Sequence, residues 1–203
     1  MKIFSAFVAL IPLGTALSPL EPRQEASVQI TNVTAVGPGC PPNAFTVTMA
    51  NDTDAATFGF NAYQTALGAG IDAEEREKHC QLFWNLRFPV GCTAASIKTV
   101  YHGSATLGEG TTGVLMPSYN LSPGELIHEE PVPSFFDGEE WLDGDTFERV
   151  DEVVAKVQVD DKEQRDVQFV VRSRSFLQTT GEGQEGSVSS DDITVTITGV
   201  EAC

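Results

Sequence analysis

His79-Cys80-Gln81-Leu82-Phe83-Trp84-Asn85-Leu86-Arg87-Phe88 places an apolar side chain at every second position from Cys80 to Phe88. His79, Gln81, Asn85 and Arg87 stand between them, and Phe83 is the one break in the alternation. In a β-strand successive side chains point to opposite faces, so this pattern reads as a half-buried antiparallel strand. Trp84 shares the parity of Leu82 and Leu86 and is expected in the core. The same period recurs at Val28-Ile30, Phe45-Val47-Met49, Phe58-Phe60, Ile97 to Leu107, Val153-Ala155-Val157-Val159, Val167-Phe169-Val171 and Ile193-Val195-Ile197. β-branched residues are frequent in these runs, and Gly and Pro punctuate them. The one short helix expected covers Ala73–His79, where Asp72 is placed to cap and Glu75 lies three residues on. Eight or more strands with so little helix predict an all-β chain, a two-sheet antiparallel β-sandwich. A closed β-barrel is the alternative.

The ends and cysteines place this body outside the cell. Met1-Lys2 is followed by an apolar run from Ile3 to Leu13 and by Gly14-Thr15-Ala16. That is a positive start, a core too short to span a bilayer and a small-residue cleavage site, hence a signal peptide over residues 1–16. Residues 17–203 then form a single domain, a size that buries roughly 70% of the unfolded chain's surface. Cys40, Cys80, Cys92 and Cys203 are an even number without Cys-x-x-Cys or His at zinc-like spacing, which in an oxidising compartment means two disulfides. A straight strand would hold Cys80 and Cys92 some 30–40 Å apart at about 3.3 Å per residue, so they should not pair with each other. Cys40–Cys80 with Cys92–Cys203 is the first choice, and Cys40–Cys92 with Cys80–Cys203 the second. Asn-X-Ser/Thr sequons at Asn32, Asn51 and Asn120 predict a glycoprotein. Asn32 has the parity of Val28 and Ile30, so either the strand bends before it or that site stays bare.

Charge narrows the partners. Twelve Lys+Arg against 29 Asp+Glu give a formal charge of −17. Such a chain repels phosphate, so neither nucleic acid nor an anionic membrane surface is expected, and no later segment is apolar enough to span a membrane. Residues 125–152 hold eleven acidic residues in 28 and read as an elaborate surface loop or frayed edge.

Residues Val36-Gly37-Pro38-Gly39-Cys40-Pro41, Arg76-Glu77-Lys78-His79-Cys80-Gln81-Leu82, Leu86-Arg87-Phe88-Pro89-Val90-Gly91 and Val100-Tyr101-His102-Gly103 together resemble a family of small, mostly fungal secreted proteins, domain of unknown function 4360. The terminal Cys203 also sits where that family ends in cysteine. The chain departs from the family in its second half, where a Trp-Ser-Pro-Cys-Gly-like segment is usual and no cysteine lies between Cys92 and Cys203. The resemblance implies a secreted β-rich fold and no particular activity.

Marks of chemistry are few. Gly-X-Gly-X-X-Gly occurs at Gly108–Gly113 and Gly181–Gly186, but neither opens a helix in a βαβ unit and each has Glu where a pyrophosphate would lie. Both are expected to be hairpin turns. His79, His102 and His128 are widely separated and expected in solvent. Glu139, Glu140, Asp143 and Asp145 around Trp141 are the candidate ligand or metal loop: Trp stacks on sugar rings, carboxylates grip hydroxyls, and the same oxygens suit Ca²⁺. The bland reading is a solvated acidic loop with Trp141 tucked against the sandwich. No resident cofactor is expected, Ca²⁺ being the one candidate ion. The leading expectation is a secreted, non-catalytic binding or surface protein of the cell wall or extracellular space, its partner a wall glycan or an extracellular protein. The alternatives are a wall-polysaccharide hydrolase using paired carboxylates and a calcium-stabilised adhesive domain.

Overall fold

A computed structural model describes residues 27–127, 130–158, 163–181 and 184–201. Among the described residues twelve strands follow one another: β1 Gln29–Val36, β2 Phe45–Met49, β3 Ala55–Phe60, β4 Gln64–Leu67, β5 Glu77–Phe88, β6 Ala94–Leu107, β7 Thr111–Ser122, β8 Glu125–Ile127, β9 Ser134–Asp137, β10 Asp145–Lys156, β11 Arg165–Thr179 and β12 Gly186–Glu201. They form two antiparallel sheets with open edges, a sandwich and not a barrel. The five-stranded sheet runs β1-β5-β11-β7-β9; the seven-stranded one runs β2-β3-β12-β6-β10-β8, with β4 also on β12. No helix among the described residues is long and apolar enough to cross a membrane.

The stretch from Cys80 to Phe88 behaves as its parity demands. Cys80, Leu82, Trp84, Leu86 and Phe88 are buried between the sheets, and Phe83 lies half-buried on the outer face. Opposite them stand Val167, Phe169 and Val171 of β11 and, from the other sheet, Ile193 and Val195 of β12. Where the structure differs from expectation, the reason is local. The expected helix is a single 3₁₀ turn at Ala73–Arg76, and Asp72 makes no side-chain cap; Glu75 instead binds Lys78 at 2.8 Å, and β5 begins at Glu77. The stretch 125–152 is not a loop: it holds β8, β9 and the first two-thirds of β10, which pairs with β6 along its whole length. Acidic density misleads here because a half-buried strand tolerates charges at alternate positions, and Glu148 and Glu152 are outward. β7 is hidden in the sequence by Gly113 and Pro117. Past Leu115 its outer side has no partner strand among the described residues, a position where proline is tolerated.

The two glycine-rich stretches are not hairpins either. One joins β6 to β7 and the other β11 to β12, so each carries the chain from one sheet to the other. They also clasp each other: Gly108 N donates to Glu185 O at 2.9 Å, and Gln184 Nε2 to Glu109 O at 2.8 Å.

Cys40 and Cys80 are bridged, their Cα atoms 5.6 Å apart. Cys92 is disulfide-bonded as well; Cys203, like residues 1–16 where a signal peptide is expected, lies outside the described residues. The motif around Cys40 is structural. A Cβ on Gly37 would stand 2.4 Å from His79 O, and one on Gly39 2.8 Å from the Tyr63 ring, so glycine lets this segment close on β5.

Candidate functional site

The outer face of the five-stranded sheet carries a groove of about 640 Å³. Residues directly opposite in antiparallel strands share a face, so the register builds its floor. One row runs Val36–Gln81–Arg172–Ser118 and the next His79–Arg174–Met116. The groove therefore presents hydrogen-bond donors from three strands, and Glu130, Pro131 and Pro133 border it. Arg174 is held by Glu77 through two bonds of 2.7 and 2.8 Å, and its guanidinium lies 4.8 Å from the Phe176 ring centre. That guanidinium holds the Glu77 carboxyl below its usual range. Arg172 is exposed and has no ion pair among the described residues. The third row, Glu77–Phe176–Val114–Phe135, ends in an aromatic ring that is 66% exposed.

A second hollow of about 500 Å³ adjoins the first and shares Tyr119, Glu130 and Pro131 with it. Here β10 turns two charges inward. Arg149 and Asp151 form a bidentate pair with both bonds at 2.8 Å. Tyr119 donates to the same carboxylate, and the Tyr101 hydroxyl stands 2.8 Å from that of Tyr119. Burial, and then the neighbouring phenol and carboxylate, push the Tyr119 hydroxyl far above its usual range. Each of these groups has a partner, as buried polar groups must. Arg149 also reaches out of the pair, donating to Val132 O at 2.7 Å and to Ser134 Oγ at 2.8 Å. One inward arginine thus ties down the segment that borders the groove.

The acidic candidates are not part of this arrangement. Glu139, Glu140, Asp143 and Asp145 are exposed. Trp141 is half-buried, packed edge-on against Phe136 with ring centres 5.0 Å apart, and so is tucked against the sandwich. Among the described residues no three His, Cys, Asp or Glu side chains gather as a metal site. His102 bonds Asp192 at 2.9 Å and Glu148 at 3.3 Å; His128 lies outside the described residues. Asn32, Asn51 and Asn120 are all exposed. At Asn32 a register shift between Ile30 and Asn32 reverses the parity, so Ile30 and Val33 are both buried while Asn32 faces water. Sequence reasoning placed no site on the groove. The available signal was Arg172-Ser173-Arg174, two arginines on one parity in a chain short of cations.

Residues 26–202 match the family described as Domain of unknown function (DUF4360), which extends the resemblance carried by Gly37 to Gly103 across the whole described body. An "Uncharacterized secreted protein" of Arthroderma benhamiae is 34% identical over 95 residues, 47% of this chain and 39% of that relative. The chain thus matches less than half of the relative's length. Among solved structures, TmCBM61 in complex with beta-1,4-galactotriose is 15% identical and aligns over 83% of this chain and 90% of its own. Its TM-score is 0.26.

Proposed function

The chain belongs to the domain of unknown function 4360 family, and on that premise we propose that it is a secreted binding protein that holds a neutral glycan in the groove across β5, β11 and β7. The observation that carries this reading is the groove itself: His79, Gln81, Ser118, Arg172 and Arg174 offer polar groups from three strands, and the exposed ring of Phe135 ends the next register row of the same sheet. Sugar recognition uses that combination, with polar groups for hydroxyls and an apolar ring for the sugar's flat face. A formal charge of −17 repels polyanions, which favours an uncharged polymer. Among the described residues lining the groove, Glu130 is the one acid, whereas cleavage by paired carboxylates takes two. On this reading the ligand is retained, not cut.

The test is a pull-down of the secreted protein on insoluble wall glycans, followed by an assay for new reducing ends. Retention without cleavage is expected, with Arg172→Ala weakening binding about 10-fold or more, the worth of a charged hydrogen bond. Retention unchanged in that variant would move the site elsewhere. Fresh reducing ends would replace the reading with a hydrolase.

A further inference from the structure

Next to the groove, the same outer face changes character. The two rows beyond Gln81–Arg172–Ser118 are Thr34–Phe83–Val170–Asn120 and Asn32–Asn85–Gln168–Ser122. These eight residues span four strands without one charged side chain, in a protein where a fifth of the residues are charged. The patch has a second property. Its corners are Asn32 and Thr34 on β1 and Asn120 and Ser122 on β7, and these are the acceptor and hydroxyl residues of two sequons. In a strand, residues i and i+2 share a face, so both sequons lie wholly on the patch. All four corner residues are exposed, while Phe83, Asn85 and Gln168 between them are half-buried. Three strand steps of about 4.8 Å separate the two edges, some 14 Å in all.

We propose that Asn32 and Asn120 both carry N-linked glycans, and that the inner sugars of these chains lie over the uncharged patch around Phe83, leaving the groove half of the sheet open. The β-bulge is central to this. Without the extra residue Thr31, whose hydroxyl donates to Asn85 O at 3.1 Å, the parity of Ile30 would point Asn32 into the core. Whenever the sugar is attached, the fold must seat it in water, and the bulge does so. The modification is a group transfer from a lipid-diphosphate-linked oligosaccharide: the bond from the anomeric carbon to the diphosphate oxygen breaks, a bond from that carbon to the Asn amide nitrogen forms, and the amide gives up one proton. This inference goes beyond the ligand reading and needs only that the chain enters a secretory pathway. It stands or falls separately, because occupancy is read by mass with no ligand present.

The experiment uses the full chain secreted by a eukaryotic host. Peptide-N-glycosidase in heavy-oxygen water converts each occupied Asn to labelled Asp, and peptide mapping should find the label at Asn32 and Asn120 in most molecules. Hydroxyl-radical footprinting of the native and the enzymatically deglycosylated protein then reads the covering. Oxidation of Phe83 should rise at least two-fold on deglycosylation, while Asn51→Gln alone leaves it unchanged. An unmodified Asn32 or Asn120 in the secreted protein overturns the occupancy. Equal Phe83 oxidation with and without sugars overturns the covering.

Discussion

Tyr119 shows how much a single side chain carries in this molecule. Its hydroxyl donates to Asp151 and stands against that of Tyr101, which links the two sheets at the open side beneath the groove's border. Tyr119→Phe keeps the ring and removes the oxygen, leaving the buried Tyr101 hydroxyl and one lone pair of Asp151 short of a partner. The expected cost is about 1–3 kcal/mol, read as a lower guanidinium midpoint with an unchanged slope. An unshifted midpoint would mean that the pair of phenols contributes nothing. Little of this was legible in the sequence, because Tyr119 lies two residues after Pro117 in a stretch without clean alternation and Asp151 sits amid acids that look solvated. Gly103 is a contrasting case. The Tyr101-His102-Gly103 run carries part of the resemblance, and the need for glycine there is spatial: a Cβ on Gly103 would lie 2.2 Å from Ser189 O and 2.4 Å from the Phe147 ring.

Across the outer face of the seven-stranded sheet, β12, β6 and β10 place Asp192, His102 and Glu148 in one row. Asp192, by its hydrogen bond and its charge, and Glu148 in the same way raise the His102 pKa above its ordinary value of 6.5, although burial opposes them. A folded pKa raised above the unfolded one means that the protonated strap adds stability fully below about pH 6.5 and loses it as pH climbs through the folded value. Because the imidazole is 43% exposed, the effect is modest. His102→Gln should lower Tm by a few °C near about pH 5.5 and by progressively less toward about pH 9. Scanning calorimetry of both proteins across that range decides it, and a difference independent of pH would refute the strap. The outward parity of His102 was readable from the sequence; its two partners, 46 and 90 residues away, were not, since strand order is a property of the assembled sheet.

The molecule as a whole is clamped by its disulfides. Closing 40 residues between Cys40 and Cys80 removes unfolded-state entropy worth about 4 kcal/mol in the chain-entropy view. Cys40 and Cys80 take each other and Cys92 is bonded as well, which in a chain of four cysteines leaves Cys203 as its partner. A non-reducing peptide map should accordingly link Cys40 to Cys80 and Cys92 to Cys203. A Cys40–Cys92 peptide would contradict it. Double replacement of Cys40 and Cys80 by Ser should lower the unfolding free energy by up to about 4 kcal/mol.

By itself the sequence determined the class of this protein. Period-two alternation requires sheets because only a pleated strand turns alternate side chains to one face, and an even set of cysteines without metal spacing means bridges. Those signals are local, each complete within a dozen residues. The tertiary structure alone decided which strands lie side by side, and therefore that Arg172, Gln81 and Ser118 share a groove, that two glycine-rich turns clasp each other between sheets, and that two sequons frame one patch. Such groupings join residues far apart in the chain. The register that unites them is set by burying both inner faces at once.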